Sequence, residues 1–402
     1  MTVYVALGTP LAPGGIGVLL VVGPAARELL GRVFRPLPGR RGEPADLAGG
    51  RISRGCLIGA SGETLDEVLV RALDPAEGLG PEGYEIDGHG GIACGRGALT
   101  LFESLGAVRV DASELPLLAA PPGSPQATRA EARGLLPAAM TLRAATLLLA
   151  QADGALQEVL ARASRLVEAG GRDEAFAEVE RLLATAEPTR ALVHGVDAVL
   201  LGAPNSGKST LFNRLLDSER ALVDPGPGTT RDVVTGLAVL DGVPVRLADT
   251  AGVSATDHPV EKIGVARSLE RARGPGWRVV VVDALAGVGS VPGELVRGLE
   301  ANARTVAFVN KIDLAGRDGA ASVARKLPWP AVEGSALTGE GVDSLARMLA
   351  GPARSVDSRG PAVFTPRQEV HLARARELLA AGDLAGAHRS IQSALTGVAP
   401  PG

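Results

Sequence analysis

The segment Gly202-Ala203-Pro204-Asn205-Ser206-Gly207-Lys208-Ser209 stands between an apolar run, Asp197 to Leu201, and a helix-forming stretch, Thr210 to Leu216. Strand, then G-x-x-x-x-G-K-[ST], then helix is the order a phosphate-cradling loop needs. Backbone N–H groups of such a loop and of the helix start surround the phosphates. Lys208 places a point charge on the β and γ oxygens, and the Ser209 hydroxyl ligates Mg2+. Gly202, Asn205, Ser206, Gly207, Lys208, Ser209 and Thr210 are the contacts expected here. Lysine is scarce in this chain, which holds only Lys208, Lys262, Lys311 and Lys326, so a lysine at this place is hard to ascribe to an ordinary glycine-rich turn.

Four further segments follow in the order a GTPase domain requires. Asp249-Thr-Ala-Gly252 comes directly after the apolar run Pro244 to Ala248. A carboxylate at a strand end can hold a magnesium-bound water, and Gly252 leaves its N–H free to sense the γ-phosphate. Between the two loops, Pro227-Gly-Thr229-Thr230-Arg-Asp232 offers paired hydroxyls where a switch supplies a threonine to Mg2+ and the γ-phosphate; Thr230 is the favoured ligand. Asn310-Lys311-Ile-Asp313 follows the run Thr305 to Val309. Its Asp313 accepts hydrogen bonds from the ring N–H and exocyclic amine of guanine, a donor pair that adenine lacks. Lys311 is expected along the base, Asn310 ties the base edge to the loop, and Ser335-Ala336-Leu337 offers a backbone N–H to the guanine carbonyl. The wrong base would leave these groups unpaired, so GTP rather than ATP is expected. After D-T-A-G, where many switch GTPases carry a water-orienting glutamine, this chain has Val253. Valine cannot orient water, and another group must.

Outside this core the signals are coarser. A length of 402 residues suggests about two or three domains. Apolar residues make up 46% and charged residues 21%, a globular balance with no stretch long and apolar enough for a membrane span. The start, MTVYVALGTPLAPGG, reads as a structural strand rather than a signal peptide, and two cysteines, Cys56 and Cys94, supply no disulfide framework. A cytoplasmic location is expected. The net charge of -4 does not announce nucleic-acid binding. Residues 1 to about 112 alternate short apolar runs (Thr2 to Leu7, Ile16 to Val22, Glu67 to Ala72, Thr100 to Phe102) with Gly and Pro turns. Helical spacing appears from about 126 to 190 and returns from Pro366 to Leu395, broken near Gly382. The expected fold is therefore an α/β P-loop GTPase domain (196–351) inserted in an α-helical domain (119–195 and 352–402), preceded by an α+β N-terminal domain (1–118).

These residues resemble the tRNA modification GTPases of the MnmE (TrmE) family. The likeness includes GTPLAPGGIGVLLVVGP and YEIDGHGG near the start, GTTRDVV, DTAGVSATDHPVEKIG and SALTGEGVDSL. It implies an N-terminal domain that binds a reduced folate and forms a homodimer, and GTP hydrolysis driven by K+-dependent pairing of two GTPase domains. Asn205 matches the asparagine that ligates potassium, and the loop from Asp224 through Gly226 to Thr229 matches the segment whose carbonyls complete that site. Glu261 matches the carboxylate that orients water through a second water; taken alone it reads equally as a solvated helix charge. Asn205, Thr230 and Glu261 are thus the expected catalytic groups.

Three departures bear on function. The family's closing Cys-x-Gly-Lys is replaced by Gly397-Val-Ala-Pro-Pro-Gly402, the arginine of its L-R-I-S-G segment is Leu20, and the helical region is shorter. Leu20 removes a partner for folate's negative charges, so weak or no folate binding is expected. Two functions stay open: wobble-uridine modification of tRNA with an FAD-containing partner of the MnmG kind, or a GTP-gated assembly or ribosome-maturation factor that has lost that chemistry. The missing cysteine and Leu20 favour the second, and the family-like domain order favours the first.

Overall fold

The computed structural model describes residues 2–37, 52–74, 82–112, 114–119, 127–217, 234–249, 276–299 and 304–397. The chain divides into two compact units, one made of residues 1–138, 147–183 and 359–402, the other of 139–146 and 184–358.

In the first unit, β1 (Tyr4–Leu7), β2 (Ile16–Val22), β3 (Phe34–Pro36), β4 (Ile52–Ile58), β5 (Thr64–Ala72), β6 (Gly83–His89) and β7 (Val108–Arg109) form a sheet in the order β3-β4-β5-β6-β2-β1-β7. Neighbours are antiparallel except β1 and β7. Side chains alternate faces along a strand, so Leu19, Val21, Val68, Val70, Tyr84 and Ile86 gather in one core. Leu29 and Leu30 from helix Ala26–Val33 and Leu99 and Phe102 from helix Ile92–Ser104 complete it. The run Thr100 to Phe102, set among strand-like runs by its apolar character, lies inside that second helix. The reason is spacing: Leu99 and Phe102, three residues apart, share a buried face, and the helical period overrides a three-residue apolar run.

Helices of the same unit pack by matching apolar stripes. Leu156, Leu160, Ala163 and Val167 are buried on helix Ala155–Glu168, and Val179 and Leu182 on helix Arg172–Leu183. Helices Pro366–Ala380 and Leu384–Thr396 are separated at Gly382, whose φ of +82° suits glycine. Thr365 starts the first of them through a capping box with Gln368, and Pro366 occupies its first turn, where no amide is needed. Arg367 forks onto Glu131 at 2.5 and 2.9 Å and also donates to Ser393 O and Ala394 O, tying three helices with one side chain.

The second unit holds a six-stranded sheet of β8 (Val196–Leu201), β9 (Val234–Leu240), β10 (Val243–Asp249), β11 (Trp277–Asp283), β12 (Thr305–Asn310) and β13 (Ala331–Glu333), ordered β13-β12-β11-β8-β10-β9. All pairs are parallel except β9 with β10. Strands buried on both faces need near-continuous apolar runs, which VDAVLL, RVVVVD and TVAFVN supply. The exception turns at Asp241-Gly242, both with positive φ, the Asp-Gly signal of a two-residue hairpin. Parallel strands send all their following loops to one edge, and β8 lies between β11 and β10, where the chain departs to both sides. Among the described residues, the phosphate loop follows β8, Asn310-Lys311-Ile-Asp313 stands at the end of β12 and Ser335-Ala336-Leu337 follows β13, so these share that edge, where Asp249 also ends β10.

Candidate functional site

The loop after β8 closes through residues that tolerate unusual backbone. Gly202 has φ +139°, and a Cβ there would meet Val281 O at 2.3 Å; Gly207 has φ +97°, and a Cβ there would meet Asn310 Nδ2 at 2.1 Å. Both positions demand glycine for space as well as conformation. Asn205, at the exposed loop tip, holds a left-handed φ of +59°, which asparagine accepts better than most residues. Lys208 opens helix Lys208–Asp217, is 7% exposed, and donates to Gly202 O at 3.0 Å and Ala203 O at 2.7 Å. The Ser206 hydroxyl is buried and has no hydrogen-bond partner among the described residues, a polar group that calls for one. Ser209 and Thr210 stand exposed in the first helical turn.

Asn310 joins this loop to the base-reading segments. It ends β12, is 3% exposed, donates from Nδ2 to Ser206 O at 2.8 Å, and accepts the Ala336 amide on Oδ1 at 2.8 Å. The Ala336 N–H, one of the amides expected to face the guanine carbonyl, is thus engaged by Asn310. Ser335 is buried; its N–H reaches Glu340 O at 2.9 Å and its hydroxyl accepts from the Thr338 amide at 3.2 Å. Lys311 adopts a left-handed conformation (φ 69°, ψ 34°) as the cap of helix Ile312–Ala324, and Asp313 lies exposed in that helix's first turn. Asp249 ends β10, with its backbone paired to Leu200, two residues before the phosphate loop. Its side chain, and all of Asp224, Gly226, Thr229, Thr230, Gly252, Val253 and Glu261, lie outside the described residues.

Sequence reading passed over Asp283. It ends β11 directly opposite Asn310 in the ladder, and its Oδ2 lies 2.6 Å from Lys311 Nζ. Burial pushes this carboxyl up, but hydrogen bonds from Lys311 and from the Leu285 amide outweigh it and hold the group below the usual carboxylate range. The carboxylate therefore stays ionised at neutral pH and holds the lysine stem beside the place assigned to the base. Asp283→Asn is expected to weaken GDP binding about fivefold, because the pair is partly exposed and each charge is screened. Titration in a Lys311→Ala background should then show no further loss, as residues acting through one contact are not additive.

A family model described as 50S ribosome-binding GTPase matches residues 197–311. The tRNA modification GTPase MnmE of Symbiobacterium thermophilum is 36% identical, over 93% of this chain and 87% of that protein. The protein of the same name from Chloroflexus aurantiacus is 34% identical, over 98% of this chain and 93% of that protein. Among solved structures, the G domain of the T. maritima FeoB iron transporter is 25% identical, covering 39% of this chain and 98% of that one at a TM-score of 0.32. Likeness to the first two spans nearly their whole length as well as the phosphate and base loops just described, and the chain is a GTPase that belongs to the tRNA modification GTPase MnmE family.

Proposed function

We propose that this chain is a cytoplasmic, magnesium- and potassium-dependent GTP switch that pairs with a second copy of itself and acts in tRNA wobble-uridine modification beside a flavoprotein of the MnmG kind. The observation that carries the GTP reading is the double hydrogen bond of Asn310 to Ser206 O and the Ala336 amide, which sets base loop and phosphate loop in one frame. The relatives' shared name supports the tRNA step. In this reading residues 1–118 are an α+β dimerisation domain, 119–195 and 352–402 a helical domain, and 196–351 the inserted GTPase domain. No described helix is long and apolar enough to cross a membrane. Mass spectrometry of wobble nucleosides from a strain lacking the gene tests the tRNA role; unchanged modification would leave only the assembly-factor reading.

The described part of the magnesium site is the start of helix Lys208–Asp217 and the end of β10. Ser209 follows Lys208 at the helix start, and the ladder places Asp249 beside the strand that feeds the phosphate loop. Ser209, Asp249 and Thr230 would hold magnesium, which would supply positive charge to the phosphate oxygens. Asn205 offers a side-chain oxygen at the exposed loop tip; in this reading Asp224, Gly226 and Thr229, which lie outside the described residues, would complete the set for a monovalent cation, and Glu261 would orient water where Val253 cannot. GTP hydrolysis is expected to rise at least about tenfold, ~1.4 kcal/mol of barrier, when K+ replaces Na+ at equal ionic strength. Asn205→Ala should erase the difference. Equal wild-type rates in the two salts would reject the cation mechanism.

A reduced folate fits poorly. Leu20, opposite Glu85 in the ladder, is uncharged and gives an anionic ligand no partner, so weak or no binding of a reduced folate is expected.

A further inference from the structure

The guanine loop is held by a residue that none of the motifs includes. Arg214 lies on helix Lys208–Asp217, about two turns past the phosphate lysine, and donates from Nε to Ala336 O at 3.3 Å and from a terminal nitrogen to Leu337 O. A trans peptide is planar, so holding a carbonyl also fixes the N–H on the far side of the same unit. Asn310 holds the Ser335–Ala336 peptide through its N–H, Arg214 Nε holds Ala336–Leu337 through its carbonyl, and Leu337–Thr338 is held at both ends by Arg214 and the Ser335 hydroxyl. Three consecutive peptides of the base loop are pinned, two of them by one arginine. A guanidinium can do this because its donors project as a rigid fork; a lysine ammonium has no such geometry.

We propose that Arg214 is a positioning residue for guanine recognition: by holding the Ala336 carbonyl it orients the Ala336–Leu337 peptide so that the loop presents the Leu337 amide to the guanine carbonyl oxygen, and it couples that loop to the phosphate-loop helix. The proposal rests on the guanine assignment above. The expected effect is a few-fold rather than larger, since Arg214 is exposed and its bonds compete with water.

The test compares release of three ribose-labelled fluorescent diphosphates from the full chain by stopped-flow displacement with excess GDP. Guanosine and inosine diphosphates both carry the carbonyl oxygen, whereas the 2-aminopurine riboside diphosphate lacks it. Arg214→Ala is expected to release the first two about fivefold faster and to leave the third unchanged, with Arg214→Lys recovering part of the loss. Equal acceleration of all three would assign Arg214 a merely structural role, and no acceleration of GDP would remove it from the site; either result overturns the proposal. Failure of the guanine assignment has a separate signature, a wild-type protein that releases the 2-aminopurine analogue as slowly as GDP.

Discussion

Asp313→Asn is expected to lower GTP affinity by about a hundredfold, ~2.7 kcal/mol, and to raise affinity for xanthosine triphosphate. The carboxylate accepts from two guanine donors, the ring N–H and the exocyclic amine. An asparagine keeps one acceptor but turns a donor toward the place of the amine, where xanthine carries a carbonyl. Two features make this substitution clean. Asp313 is exposed in the first turn of its helix, so the change leaves no buried group unsatisfied, and it takes no part in the Asn310 bonds that join the loops. Competition titrations with GTP, XTP and ATP measure the exchange. A variant that keeps full preference for GTP would show that the base is read elsewhere.

Lys208→Ala should cost more, at least about a thousandfold in nucleotide affinity, ~4 kcal/mol, by removing the charge assigned to the β and γ phosphates. The side chain is 7% exposed and donates to Gly202 O and Ala203 O, so its loss also leaves two loop carbonyls short of a donor. Thermal melting without nucleotide separates the two effects: a modest fall in Tm with a near-complete loss of binding assigns the lysine to the ligand. Ser209→Ala should instead weaken mainly the magnesium-dependent part of binding. Normal GTP affinity in Lys208→Ala would overturn the phosphate-loop assignment.

Legibility in the sequence followed the strength of local signals. The parallel strands were readable because strands covered on both faces must be almost wholly apolar, and Asp197 to Leu201 and Thr305 to Val309 match β8 and β12 to within a residue. Helix Ile92–Ser104 was harder to see: IACGRGALTLFES carries two glycines and few polar breaks, so its apolar end resembles a strand until Leu99 and Phe102 are found on one buried face. In the site, Lys208 and Asn310 stood out because lysine and asparagine are rare here. Asp283 and Arg214 did not. A carboxylate at a strand end and an arginine in a chain that uses arginine for most of its positive charge are unremarkable until the ladder sets Asp283 across from Asn310 and the fold brings Arg214 to the Leu337 carbonyl.

The bridging role of Asn310 has a consequence for how this protein can change under selection. One side chain serves the phosphate loop and the base loop together, so any substitution at 310 disturbs both at once and has no route to altered base choice that spares triphosphate binding. Asp313 stands outside that bridge. Drift in nucleotide preference is therefore channelled through position 313, while position 310 is held still by two unrelated demands, and a lineage that lost the asparagine would be expected to lose the switch rather than acquire a new one.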